Sequence, residues 1–262
     1  MDPAGRVSVA VSIVLYKTPF SEIAQLVADF RKQGVEKVFV VDNSPSTFDT
    51  FRNMLPSDFV ELVRAGKNLG YGRAHNLAIV SSVVRFKYHI VCNPDIDLAS
   101  NLMSTLLEYM ESNPEVGLCM PKLIGTDGLV QYCCRRSPLL WDYVSQLVFP
   151  KSWGKKRKYF LEMRDCDYGT AMDVECLSGC FMMFRSSVLR NLGGFDNRFL
   201  MYFEDFDLSK RAGRMARNVY LPLTHVVHGR RSEHRRSWRL RAAFAVSAIR
   251  YFLKWGMFWK SV

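Results

Sequence analysis

The segment Asn93-Pro-Asp95-Ile-Asp97 holds two carboxylates two residues apart, which an extended backbone presents on one side. Like charges that close repel unless something neutralises them, and a hard divalent cation bridging to substrate phosphates does so. The spacing points to a metal and diphosphate site. An acidic loop with Asp97 in an Asx turn, or capping the next helix, would use the same residues. In Asn68-Leu-Gly70-Tyr-Gly72-Arg73-Ala-His-Asn76, two glycines and a basic residue join a strand to a helix. Amides at a helix N-terminus attract phosphate, and Arg73 can add a charge-assisted bond. The stretch matches neither a Walker loop nor G-x-G-x-x-G, so a plain glycine-containing loop is the competing reading. Phe203-Glu204-Asp205-Phe206-Asp207 sets three carboxylates at the start of a predicted helix, where the dipole favours anions. A carboxylate there can take the proton from an attacking hydroxyl, although ordinary helix-terminal charge looks the same. His225 and His228 lie three apart with apolar residues between them. A strand would send them to opposite faces, which leaves His228, beside Gly229, as the candidate ligand.

Groups so far apart in sequence need a scaffold that gathers them. Residues 7–15 form a nearly continuous apolar run, as expected of a strand covered on both faces. Thr18 and Pro19 then open a helix with apolar residues at Phe20, Ile23, Val27 and Phe30, and Gly34 closes it. With a second strand at 37–41 the chain spells β-α-β, which predicts a right-handed crossover and a parallel sheet. Further strands are expected at 59–64, 88–92, 117–121, 129–135 and 174–184, with helices at 72–83, 100–112 and 187–192. Between 137 and 173 the periodicity fades and Lys155-Lys-Arg-Lys158 appears, which reads as a mobile, solvated insertion. In open parallel sheets ligands bind beyond the carboxyl ends of the strands. Those tips carry Tyr16 and Lys17, then Asp42-Asn43-Ser44, then residues 66–72, then 93–97, so four polar tips converge on one cleft.

The 262 residues suffice for one sizeable α/β domain, and 48% hydrophobic with 23% charged residues is ordinary for a packed globular chain. A net charge of +11 calls for an anionic partner: nucleic acid, a phosphorylated substrate or a membrane surface. Seven cysteines without a C-x-x-C pair read as small core residues in a reducing compartment. With no secretory leader and no run of about 20 apolar residues, a cytoplasmic location is expected.

The order of motifs resembles the family-two glycosyltransferases, in the bacterial rhamnosyltransferase-like branch. The resemblance runs over residues 7–232: Asp42-Asn-Ser, Asn68-x-Gly70-x-Gly72, Asn93-Pro-Asp-Ile-Asp97, Leu177-Ser-Gly179, Gly193-Gly-Phe-Asp196, Phe199-x-x-Tyr-x-Glu-Asp-x-Asp-Leu208 and His228. It implies a GT-A fold: a single Rossmann-like, mostly parallel sheet flanked by helices, spanning residues 1–232. It also implies inverting transfer of a sugar from a nucleotide diphosphate, with dTDP-L-rhamnose the first donor to consider and UDP-hexoses next, onto a glycan or lipid-linked oligosaccharide of bacterial surface polysaccharide. Under it, Tyr16, Asp42, Asn43, Asn68, Gly70, Gly72, Arg73, Asn76, Asn93 and Asp95 would bind the nucleotide sugar, Asp42 at the base. Asp97 and His228 would hold Mg2+ or Mn2+, Ser178 and Gly179 would lie near sugar and acceptor, and Asp205 would be the base beside Glu204. Asp207 competes with Asp205 for that role.

Residues 233–262 form a separate expectation, a basic amphipathic C-terminal helical segment. Arg230, Arg231, Arg235, Arg236, Arg239 and Arg241 lead into an aromatic run ending at Trp259, a pattern suited to lying on an anionic leaflet. The enzyme would then be peripheral on the cytoplasmic face of the inner membrane. A nucleotidyltransferase would need a glycine-rich basic signature after the first strand, which Val14-Leu-Tyr-Lys-Thr18 lacks. Nucleic acid is not expected as a partner, because the arginines cluster in the tail while the cleft is acidic.

Overall fold

The computed structural model describes residues 7–44, 51–52, 54–142, 151–229 and 238–256. The first strand, β1 (Val9–Leu15), is buried along its whole length. After it come α1 (Phe20–Lys32), β2 (Lys37–Asp42), β3 (Val60–Arg64), α2 (Tyr71–Ser82) and β4 (Tyr88–Cys92). Strand alternation sorts β1 between two cores. Val9, Val11, Ile13 and Leu15 pack into the larger one with Ile23, Leu26, Val27 and Phe30 of α1. Ala10 and Val14 face the smaller one with Phe39, Val41, Ala74 and Ala78, under α2. Each such buried aliphatic or aromatic side chain contributes about 1.5–3 kcal/mol, so α1 is held by its apolar stripe rather than by caps. Ser12, on the α2 side of β1, bonds both His75 and His89 at 2.8 Å.

The remaining elements are β5 (Ile96–Leu98), α3 (Leu102–Ser112), β6 (Val116–Gly125), β7 (Cys134–Arg135), α4 (Lys151–Leu161), β8 (Met172–Asp173), β9 (Cys176–Leu177), β10 (Phe181–Arg185), α5 (Ser186–Leu192), α6 (Glu204–Ala212), β11 (Arg217–His228) and α7 (Trp238–Trp255). The main sheet has the order β3-β2-β1-β4-β10-β6-β11-β5, with β8 on β11. Its first four strands are parallel, β10 runs against β4 and β6, and β6 and β11 again run with β4. The carboxyl ends of β1, β2, β4 and β11 therefore share one edge with the start of β10.

Three expectations change. The run 174–184 is two strands, because the chain leaves one sheet for another at Ser178-Gly179: β9 pairs with β7, and β10 with β4. Residues 129–135 form only an isolated bridge at Val130 and the two residues of β7. The 137–173 segment is not a solvated insertion throughout. Lys151–Leu161 is helical, Met163 and Tyr168 are buried in the main core, and Arg136 pairs with Asp165. All seven cysteines are free, and six are buried, as small core residues. Among the described residues no helix is long and apolar enough to cross a membrane. The 232/233 boundary, residues Arg230, Arg231, Arg235 and Arg236, and Trp259 lie outside the described residues.

Candidate active site

Strand pairing builds the site from the sheet edge outward. The Asn93 amide bonds the Cys180 carbonyl at 2.9 Å, which sets the start of β10 against the end of β4. One residue earlier, the Gly179 amide donates to Asp205 Oδ2 at 3.0 Å, and the Gly179 carbonyl accepts from the Tyr71 hydroxyl at 2.5 Å. A Cβ on Gly179 would stand 3.3 Å from both Asp205 Cβ and the Tyr71 ring, so this close approach depends on glycine. Asp205, Gly179 and Tyr71 thus form one bonded unit beside Asn93. Ser178 sits at the crossover, its amide on the Cys133 carbonyl.

The carboxylates of α6 have separate roles. Asp205 Oδ1 accepts the Phe206 amide at 2.9 Å. Burial raises the pKa of Asp205, while the Gly179 and Phe206 amides oppose that shift by favouring the ionised form. Glu204 is pushed up to about 8, first by burial and then by the nearby Asp205 charge, and its Oε2 is buried without a hydrogen-bond partner. Burial and the Asp205 charge thus favour the protonated form of Glu204 beside an amide-supported Asp205. Asp207 is not available as base. It is fully buried, and Arg211, Lys254 and the Trp255 indole N–H occupy it.

The helix that presents this unit starts from two consecutive left-handed residues, Tyr202 (φ 70°) and Phe203 (φ 65°). Such a conformation costs non-glycine residues of order 1–3 kcal/mol and needs support. Phe203 has it, in an aromatic cluster with Phe206, Phe244, Tyr251 and Phe252.

On the other side of Asn93 lies His228. Asn93 Nδ2 is 3.3 Å from His228 Nε2, and Asp95 Oδ1 is 3.6 Å from it. Gln131 grips the same residue twice: its Nε2 donates to the His228 carbonyl at 2.9 Å, and its Oε1 lies 3.0 Å from Nδ1. With Gln131 Oε1 as acceptor, Nδ1 carries the proton and Nε2 faces Asn93 Nδ2 and Asp95. Carboxylate with imidazole is a donor set suited to Mn2+ or Mg2+ completed by substrate phosphates. Among the described residues no three His, Cys, Asp or Glu converge on one point. Asp97 does not join His228. It pairs with Val227 while His228 pairs with Ile96, so the pleat puts the two on opposite faces of the β5–β11 ribbon. The carboxylate at His228 is Asp95. Asp97 instead borders a groove with Asp95, Glu22, Gln25 and Thr126.

The predicted nucleotide-side residues divide. Asn43 Nδ2 reaches Asn68 Oδ1 at 3.1 Å and its Oδ1 accepts the Leu69 amide, tying the tip of β2 to the glycine loop. Gly70 has φ +85°, and a Cβ there would lie 1.9 Å from the Leu200 carbonyl oxygen; Gly72 abuts Phe195. These glycines permit packing on the 195–200 segment, which accounts for them without a phosphate. Arg73 and Asn76 also turn that way, Arg73 to the Asn197 carbonyl and Asn76 to the Phe195 backbone. Asp42 is fully buried and its Oδ1 accepts the Ser44 amide at 2.9 Å in an Asx turn. Tyr16 is 39% exposed at the tip of β1. Tyr71 and Gln131 were not singled out in the sequence: Tyr71 stands between the two glycines, and Gln131 follows a Gly-Thr-Asp-Gly turn that gives no sign of reaching His228.

Solved structures settle the architecture. The chain superposes on GalNAc-T7 with UDP, GalNAc and Mn2+ at TM-score 0.63 and 14% identity, over 87% of this chain and 44% of that one. It superposes on the mannosyltransferase PcManGT of Pyrobaculum calidifontis, with GDP-Man and Mn2+, at 0.59 and 19%, over 95% and 66%. The fold is GT-A. In sequence, this GT-A chain is 30% identical over 179 residues to N-acetylglucosaminyl-diphospho-decaprenol L-rhamnosyltransferase of Mycobacterium tuberculosis, 64% of this chain and 58% of that protein. It is 28% identical over 194 residues to rhamnosyltransferase WbbL of Escherichia coli K12, 70% of this chain and 68% of that protein. The resemblance to rhamnosyltransferase-like glycosyltransferases is thereby borne out. The chain spans 58% of the length of the mycobacterial relative. No protein-family profile matches it.

Proposed function

We propose that this GT-A chain is an inverting, metal-dependent glycosyltransferase that moves a hexose from a nucleotide diphosphate to a hydroxyl of a lipid-linked glycan. L-rhamnose from dTDP-L-rhamnose is the first donor to test, supported by the rhamnosyltransferase names of the relatives; UDP-hexoses are the alternative. The observation that carries the reading is the bonded unit of Asp205, Gly179 and Tyr71, set through Asn93 beside the Asp95–His228 pair. Asp205 takes the proton of the acceptor hydroxyl, with burial raising its pKa toward that of a base and two backbone amides opposing the shift. Protonated Glu204 keeps a second negative charge away from the incoming nucleophile and can donate a hydrogen bond to sugar or acceptor. Asp95 and His228 would hold Mg2+ or Mn2+, which when bound supplies positive charge for the leaving diphosphate. Attack opposite the leaving group in one displacement inverts the anomeric centre. A lipid-linked acceptor places the reaction at the cytoplasmic face of a bacterial inner membrane, within surface polysaccharide synthesis.

A donor screen with dTDP-rhamnose and UDP-hexoses, with and without Mn2+, tests the reading through release of nucleoside diphosphate. Metal-stimulated release from one donor and an inverted product linkage are expected. No release from any nucleotide sugar in the presence of lipid-linked acceptor would overturn it.

A further inference from the structure

The helix α7 has two apolar faces. The inner one, with Phe244, Ala248, Tyr251, Phe252 and Trp255, packs on Phe199 and Phe203 under the start of α6. The outer one carries Trp238, Val246, Ile249 and Leu253, exposed by 73%, 45%, 60% and 72%. These recur at helical spacing, with exposed Ala242 and Ala245 between them, and form one stripe along the helix. Docking onto its own core explains the first face and leaves Val246, Ile249 and Leu253 turned to solvent. Exposed Arg241 and Arg250 flank the stripe, and α7 contains no acidic residue.

A second basic element adjoins it. Leu140 packs against the inner-face cluster of α7, and the next residue, Trp141, is 49% exposed. Asp142 then pairs with Arg157 of α4, a helix that exposes Lys155, Lys156, Lys158 and Tyr159 and also lacks any acidic residue. Exposed apolar side chains and cations thus occupy neighbouring elements that carry no acidic residue of their own, while Arg157 and Lys158 of α4 pair with Asp142 and Glu162 outside it.

We infer that the outer stripe of α7 docks the protein on an anionic lipid bilayer, with Val246, Ile249 and Leu253 inserted at the headgroup boundary and the exposed cations of α7 and α4 over acidic headgroups. Charge selects this occupant over a second copy of the chain. A two-fold contact through α7 would set Arg241 and Arg250 against a surface with no acidic side chain in the helix to pair with them. Anionic headgroups supply the missing counter-charge. Because the inner face of α7 holds Phe203 and Asp207, docking would also fix the orientation of the Asp205 unit relative to the bilayer. This inference goes beyond the catalytic reading and fails separately from it.

Co-sedimentation of the full chain with phosphatidylcholine vesicles containing about a third phosphatidylglycerol tests it, against phosphatidylcholine alone. Partitioning should be about ten-fold or more stronger on the anionic vesicles and should weaken at high salt. The double variant Ile249→Glu/Leu253→Glu should lose about ten-fold or more of that partitioning, and Arg241→Glu part of it, while calorimetric binding of a nucleoside diphosphate stays as in the unmodified chain. These positions are exposed, so folding is spared. The inference is overturned if the chain stays in the supernatant with anionic vesicles, or if Ile249→Glu/Leu253→Glu partitions normally. It is equally overturned if the chain is a dimer that this variant dissociates, which would give the stripe to a second copy.

Discussion

At the scale of single residues, two side chains divide the electrostatic work of the cleft. Glu204 is a carboxyl whose folded pKa is raised, from 4.5 to about 8, by burial and then by Asp205. In the window between those values the folded chain binds a proton that the unfolded chain has lost, so Glu204 lowers stability as pH rises through it and adds no further change above about 8. For the metal-free protein, thermal melts of Glu204→Gln and the unmodified chain should diverge as pH rises from about 5 to 8, the variant becoming relatively more stable. A pH-independent difference would show that Glu204 is not the raised group. Gln131 acts on the other side of the cleft through His228. Losing such an outer hydrogen bond to a ligand typically weakens metal binding about 10–100-fold. Gln131→Leu should show that loss for Mn2+ by titration calorimetry, and an unchanged affinity would separate Gln131 from the metal.

At the scale of elements, the left-handed Tyr202 and Phe203 show what α7 does for the cleft. Two residues there hold a costly backbone conformation so that α6 can start at Glu204, and the side chains that over-determine it come from α7. Removing Phe252, which is 2% exposed in that cluster, should cost about 3–5 kcal/mol of stability as Phe252→Ala. Transfer should also fall in the fraction that stays folded, because the N-terminus of α6 loses its support. Denaturant unfolding with turnover per folded molecule checks both, and full specific activity would detach α7 from the site. The strands explain a different feature. The register of β5 on β11 puts Asp97 on the face opposite His228, whereas Asp95 lies ahead of β5, outside that pleat, and reaches His228 from there.

At the scale of the whole molecule, the sequence made the parallel half of the sheet legible and left its antiparallel half obscure. Residues 7–15, 37–41 and 88–92 are mostly apolar runs because helices cover both faces, and turn residues bound each of them. The sheet change at Ser178-Gly179 and the three-residue strand β5 have no such signature, since pairing partners distant in sequence create them. The same limit applies to the site. Asp205, Glu204, Asn93 and His228 stood out by residue type and position. The choice of Asp95 over Asp97 at His228, the occupation of Asp207 and the grip of Gln131 depend on register and long-range contact. The packing of Gly70 and Gly72 on Leu200 and Phe195 likewise shows that a glycine loop can serve a neighbouring chain segment as readily as a phosphate. What the whole arrangement commits to is one base at the meeting point of β10, α2 and α6. Sugar transfer by Asp205→Asn, measured with binding of the nucleotide sugar on the same preparation, tests that most directly. Loss of a general base should lower turnover by about 10²–10⁴-fold while donor affinity holds. Near-normal transfer with donor binding intact would contradict it.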